Sequence, residues 1–389
     1  MEYSQKMQIV KNLRYSMENQ TLVNVIQTGS SIFYTGTVFG VDRNGTILST
    51  FTEDGLSNGF VYLDYNDIFD VDFYSEDLTK MEERIKMARN LHLISAEQPD
   101  LQLNDKGALL TQVLGSSFVY QRPILLIKED DTMMEGFVSS LSDNEVELTT
   151  FDKFDSSEVK HARMPLYDIK LIEFLGQELN LLEHSKKLLM TGHVESQDIG
   201  GDLEIFAALH QALESGRRII MIPKINPELF FIGQVRAVNA DSVVFAVVDM
   251  NGQFGGYELI RLNEISNLEI KSDYLRLINH FVSLNMAHDT FLQPLLNNER
   301  SFDSTVDQFV GVINQAVKFK RFLRIKSNEG ETYFGVPFKF EKGTVSVRYL
   351  DKDKPNEPQL IELSVNDIDE LAFDYLDAFL AKKRIMGMD

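Results

Sequence analysis

The segment best equipped for chemistry in this 389-residue chain is Lys318-Phe319-Lys320-Arg321-Phe322-Leu323-Arg324-Ile325-Lys326. Cations interleaved with aromatic rings neutralise phosphates and stack against bases. Arg217-Arg218 forms a second, shorter basic pair. Arg217, Arg218, Lys318, Lys320, Arg321, Arg324 and Lys326 are therefore the candidate nucleic-acid contacts. Three considerations oppose that reading. Strand alternation does not sort these cations onto one clean face, and cations near a helix C-terminus also complement its dipole. The chain as a whole carries 59 acidic against 38 basic residues, a net charge of −21, which disfavours a phosphate backbone as partner.

Other chemistry is weakly represented. The chain has no cysteine, which excludes disulfides, thiolate metal sites and cysteine catalysis. Its seven histidines include the pairs His184/His193 and His280/His288, neither at the spacing that puts two imidazoles on one helical face beside a carboxylate. Gly252-Gln253-Phe254-Gly255-Gly256 lies between two strand patterns rather than before a helix, so it reads as a hairpin loop and not a phosphate cradle. Gly29-Ser30-Ser31 and Gly115-Ser116-Ser117 lack the Gly-x-Ser-x-Gly elbow of a serine nucleophile. So acidic a sequence offers many carboxylate pairs and singles out none. We expect no catalytic residue, no cofactor and no metal, and a protein that is not an enzyme.

The elements that must position these residues repeat along the chain. Gly36, Gly136, Gly233 and Gly335 each follow a short hydrophobic strand, at intervals of 100, 97 and 102 residues. Six residues later comes Asp42, Ser142, Asn239 or Glu341, then a β-branched strand. A second anchor, Asp67-Ile68, Asp168-Ile169, Glu264-Ile265 and Asp367-Ile368, lies 31 or 32 residues beyond each glycine. Apolar residues at helical spacing mark one helix before each strand group and one after it, as at Ile205, Leu209 and Leu213. Polar stretches such as 95–100 and 191–201 separate the groups. These set module boundaries at 1–94, 95–195, 196–297 and 298–389.

This order of helix, strand, glycine-bearing strand, acidic turn, long strand and acid–isoleucine strand resembles the Sm-like family of small β-barrels, in particular the bacterial Hfq subunit. The resemblance implies a mostly β fold with α: four tandem Sm-like modules, each a five-stranded, strongly bent antiparallel barrel with preceding and connecting helices. In that family the matching helix carries rim arginines that touch RNA, and Arg217-Arg218 occupies a similar place. The family's RNA pocket uses a lysine–histidine pair just before the final strand. Those positions are here Tyr65-Asn66, Leu166-Tyr167, Leu262-Asn263 and Val365-Asn366, each beside an acid. The pocket's cations are missing from every copy, and the added carboxylate opposes phosphate.

The function expected is a non-enzymatic scaffold or adaptor that binds a protein partner or another copy of itself. Four fused modules are fewer than the family's usual ring contains, and a homodimer would cover the two free edges of an open arc. The alternative is an RNA-binding regulator using the basic residues of modules 3 and 4. A third reading, a groove for peptides or small ligands, would draw on Tyr62, Tyr65, Tyr167 and Phe118. No apolar run reaches membrane-spanning length and the N-terminal residues form no export signal, so the expected setting is the cytoplasm, without membrane attachment.

Overall fold

The computed structural model describes residues 3–29, 33–95, 101–104, 107–224, 229–350 and 358–386. Ser30, Ser31 and most of the 95–100 linker lie outside these ranges. The chain divides into two compact units, residues 1–193 and 194–389. Both are antiparallel β-sheets flanked by helices, and no helix among the described residues is long and apolar enough to cross a membrane.

In unit 1 the first run of elements is α1 (Tyr3–Asn19), β1 (Leu22–Gln27), β2 (Phe33–Val41), β3 (Gly45–Phe51), β4 (Ser57–Asp64), β5 (Ile68–Asp72) and α2 (Glu76–Asn90). The second is α3 (Leu109–Tyr120), β6 (Pro123–Lys128), β7 (Met133–Leu141), β8 (Glu145–Thr150), β9 (Lys160–Pro165), β10 (Ile169–Phe174), α4 (Gln177–His184) and α5 (Lys186–Met190). Unit 2 opens with an extra strand, β11 (Gln197–Gly200). There follow α6 (Asp202–Ser215), β12 (Arg218–Pro223), β13 (Phe231–Val238), β14 (Ser242–Val248), β15 (Phe254–Arg261), β16 (Ile265–Lys271) and α7 (Asp273–Ala287). Its last run is α8 (Gln308–Phe319), β17 (Leu323–Ser327), β18 (Thr332–Glu341), β19 (Thr344–Leu350), β20 (Gln359–Ser364), β21 (Ile368–Phe373) and α9 (Leu376–Met386).

The same local chemistry shapes all four runs. Each leading helix turns into its first strand through a left-handed residue, Gln20, Gln121, Gly216 or Lys320, of which only one is glycine. The next amide, of Thr21, Arg122 or Arg321, reaches back to a carbonyl five residues earlier, at 3.1, 3.1 and 2.9 Å, so a helix-closing bond offsets the cost of left-handed backbone, about 1 kcal/mol. Connecting helices α2 and α7 start at Ser75 and Ser272, whose side chains accept from the amides of Leu78 and Leu275. The leading helices lay their apolar stripes on the second strand of their own run. Ile9 and Leu13 of α1, Val113 and Leu114 of α3, Ile205 and Leu209 of α6, and Phe309 and Ile313 of α8 are all buried. Each such side chain contributes roughly 1.5–3 kcal/mol of burial.

The strands do not close into the four barrels expected from the sequence. They form one ten-stranded sheet, β5-β1-β2-β3-β4-β10-β6-β7-β8-β9, and one eleven-stranded sheet, β11-β16-β12-β13-β14-β15-β21-β17-β18-β19-β20. The reason is the fate of the fourth strand. In the first run of each unit it pairs with the fifth strand of the second run rather than with its own. Thus β4 pairs with β10 (Leu63↔Leu171 through Phe60↔Phe174), and β15 pairs with β21 (Ile260↔Glu370 through Tyr257↔Phe373). Counted from the turn before each fifth strand, the two registers are identical.

A positive-φ glycine sits at the same place in both junctions. A Cβ on Gly59 would come within 2.4 Å of the backbone of Leu175 and Gly176, and one on Gly256 within 2.6 Å of the Tyr375 side chain. Only glycine admits both the conformation and the approach. The cores cross the junctions as well. Ile47, Phe60 and Tyr62 pack into the core around Leu126 and Ile172, and Val244, Tyr257 and Leu259 into the core around Ile325 and Leu371.

Candidate functional site

The four anchor glycines lie in the second strand of each run, where the third strand crosses close above. A Cβ would stand 2.2 Å from the Ser49 carbonyl oxygen at Gly36, 2.6 Å from Thr149 at Gly136, 2.2 Å from Ala246 at Gly233 and 2.3 Å from Arg348 at Gly335. The register then shifts by one residue, after Val38, Val138, Val235 and Pro337. The glycine and the bulge together bend each strand sharply.

The acidic anchors close a short 3-10 turn. The carbonyls of Asp67, Asp168, Glu264 and Asp367 accept from the amides of Thr28, Glu129, Lys224 and Asn328 at 2.8–2.9 Å. The side chains differ. Asp67 is buried, bonded to Gln27 at 3.2 Å and to Lys170 at 3.1 Å, while Asp168, Glu264 and Asp367 are more open. Burial holds the Asp67 carboxyl above the usual range, with Lys170 pulling the other way. The glycines thus sit at the strand bends and the acids at the 3-10 turns.

The structure spends most of the basic cluster internally. Arg324 is paired with Glu258 and, at 2.9 Å, with Glu370, which also faces Lys326 at 3.6 Å. Arg321 meets Asp374 at 2.6 Å, as does Arg300. Arg218 donates to the Asn279 side chain at 3.0 Å, and burial lowers its pKa. Arg217 is exposed and donates to the Ser215 hydroxyl at 3.3 Å. Lys318 lies over the Phe319 ring at 5.2 Å and Lys320 is the exposed left-handed cap of α8. Among the described residues, Lys318, Lys320 and Arg217 alone of the seven point to solvent without a carboxylate or amide acceptor on a neighbouring element. The acids that neutralise Arg321, Arg324 and Lys326 lie 44 to 66 residues away in sequence. The four aromatic candidates do not share a groove either. Tyr62 and Tyr65 are buried in the core, whereas Tyr167 is 82% and Phe118 41% exposed.

A concavity lies over the junction of unit 1. A cavity of about 520 Å³ is lined by Phe33, Phe51, Phe60, Phe174, Met81 and Leu179 on its apolar walls, within the size range of small-molecule sites. Its polar lining includes Glu53, Asp77, Glu135, Glu173 and Glu178 against Lys80 and Arg84. The Tyr34 hydroxyl donates to Glu173 Oε1 at 2.6 Å. Burial first, and then the neighbouring Glu173 charge, push the Tyr34 phenol well above its ordinary pKa.

Lys153 binds Glu135 at 3.1 Å and Glu178 at 2.7 Å. Burial raises the Glu135 pKa despite Lys153; burial likewise opposes the Lys153 charge, but Glu178 and Glu135 outweigh it and hold the ammonium pKa up. Among the described residues no cation lies within ion-pair distance of Glu173. The sequence signal for this site is slight: single acids in otherwise apolar strands, Met133-Met134-Glu135 and Leu171-Ile172-Glu173-Phe174. Comparison with family models and with curated proteins gives no match for this chain.

Proposed function

We propose that the protein is a non-enzymatic scaffold of four Sm-like modules, fused in two pairs, that assembles with other copies of itself by strand addition. The carrying observation is the junction used twice at one register, beside outer edges that remain open. In unit 1 the first run's fifth strand, β5, and the second run's fourth strand, β9, have no strand partner on their outer sides among the described residues. β5 presents Phe69, 57% exposed, with Asp70 and Asp72; β9 presents Lys160, His161 and Arg163. Extending the junction register to a β5 and a β9 from two molecules sets Asp72 opposite Ala162, with Lys160 as its diagonal neighbour, and Arg163 diagonal to Phe69. Opposite charges and a cation over a ring favour such cross-strand pairs.

Two features make this contact weaker than the internal junctions. Lys160 replaces the junction glycine, so the tight corner is absent, and the Gln5 side chain already donates to the Phe69 carbonyl at 3.1 Å. The contact is therefore reversible and sensitive to salt. The test is light scattering across concentration and salt. We expect a concentration-dependent mass that falls at high salt, falls with Lys160→Asp, and recovers in the Lys160→Asp/Asp72→Lys double variant. A monomeric mass up to the high-micromolar range would refute the proposal. A mixed RNA pool serves as control: the ion pairs that occupy Arg321, Arg324 and Lys326 lead us to expect no salt-sensitive RNA shift.

A further inference from the structure

We infer that the unit 1 cavity binds a guanidinium group carried on an apolar stem. The argument comes from unit 2, where the matching place is filled by the chain itself. Across the two junctions, the strand rows correspond residue for residue. Unit 1 has Val61–Glu173–Leu125–Glu135, and unit 2 has Glu258–Ala372–Arg324–Phe334. In unit 2 the Arg324 side chain runs over Ala372, and its guanidinium is held by Glu258 and Glu370, both only 8% exposed at the side chain.

Unit 1 inverts this arrangement. Leu125 stands where Arg324 would be and lines the cavity, while carboxylates occupy the alanine and phenylalanine positions, as Glu173 and Glu135. The space above the row that the arginine fills in unit 2 is open in unit 1. Glu173 is fixed by the Tyr34 hydroxyl, which leaves its second oxygen to accept from a ligand. Glu135 and Glu178 share one ammonium, Lys153. The site thus holds more negative than positive charge in a partly desolvated setting, where a planar, weakly hydrated cation is the favoured guest. The surrounding Phe51, Phe60, Met81 and Phe174 side chains suit an alkyl stem and the guanidinium face.

Two sources supply this chemistry, a free small molecule and the arginine side chain of a peptide, and the probes separate them. Titrating the full chain by calorimetry with butylguanidinium should give saturable binding at least roughly tenfold tighter than its neutral isostere butylurea. Glu173→Gln should weaken butylguanidinium by roughly tenfold or more. Leu125→Arg should abolish it, because the introduced guanidinium stands directly across the row from Glu173 and Glu135 and would occupy the site itself. An acetyl-Gly-Arg-Gly-amide peptide that binds with the same variant pattern assigns the site to peptide arginine; binding of butylguanidinium alone assigns it to a small molecule. The inference fails if butylurea binds equally, if Glu173→Gln leaves the affinity unchanged, or if butylguanidinium shows no saturation. Should Leu125→Arg not fold, as read by circular dichroism, the Glu173→Gln titration decides alone.

Discussion

The two junctions share a backbone and differ in what they do with charge. Both join a fourth strand to the next run's fifth strand at one register, each with a glycine corner. Unit 2 closes its junction with an internal ion pair. Unit 1 leaves a cavity walled by carboxylates and aromatic rings. A duplicated scaffold thus keeps its hydrogen-bond frame fixed while side chains at a few rows decide whether the seam is filled or open.

The comparison breaks most severely where the frame itself is challenged. Gly36→Ala in unit 1 and Gly335→Ala in unit 2 should each cost about 3 kcal/mol or more, because the added methyl meets a carbonyl oxygen at 2.2 or 2.3 Å. Gly311→Ala, in α8 with open space around it, should instead stabilise by roughly 0.5–1 kcal/mol. Urea unfolding of the three variants checks both signs; equal effects would mean that the close approach does not govern the bend.

A smaller loss is expected from emptying the filled seam. Arg324→Leu leaves Glu258 and Glu370 buried without their guanidinium and should cost about 2–4 kcal/mol at neutral pH. Burial already raises the Glu258 pKa above its usual 4.5, even against Arg324. The folded chain therefore retains a proton that the unfolded chain releases, and stability from this group falls as pH rises above 4.5. The fall should steepen in Arg324→Leu and flatten in Glu258→Gln, as read by thermal melts on both sides of that window. The smallest effect belongs to Arg163→Ala at the outer edge. Its pair with Glu147 spans 3.3 Å and Arg163 is 65% exposed, so folding stability should change by less than about 0.5 kcal/mol while self-association weakens.

The repeat was legible because it rests on short-range necessity. A glycine under a crossing strand and an isoleucine after a 3-10 turn leave marks at fixed spacing, and the helices around Ile205, Leu275 and Phe309 show in apolar periodicity. Strand closure was not legible. Whether β4 pairs with β5 or β10 depends on which edge arrives, and both strands mix apolar with charged residues, Ile68-Phe69-Asp70-Val71-Asp72 and Ile169-Lys170-Leu171-Ile172-Glu173-Phe174. The ion-pair partners of the cluster from Lys318 to Lys326 were hidden for a related reason. Local sequence shows the cations, but Glu258, Glu370 and Asp374, which neutralise three of them, are brought in by tertiary pairing. The cavity was invisible because it is defined by what is missing, an arginine at Leu125.

The four-residue strand β11 gives the proposed assembly a stoichiometric limit. It lies along the outer side of β16, with Ile199 opposite Leu268, and so occupies what is, among the described residues, the only other fifth strand at the end of a run of pairings. Each chain then offers one acceptor, β5, against two donors of the fourth-strand type, β9 and β20. The acceptor is the limiting reagent: any number of chains can form at most as many contacts as there are chains. Connectivity of that kind yields rings, filaments and branched trees, and never a cross-linked gel.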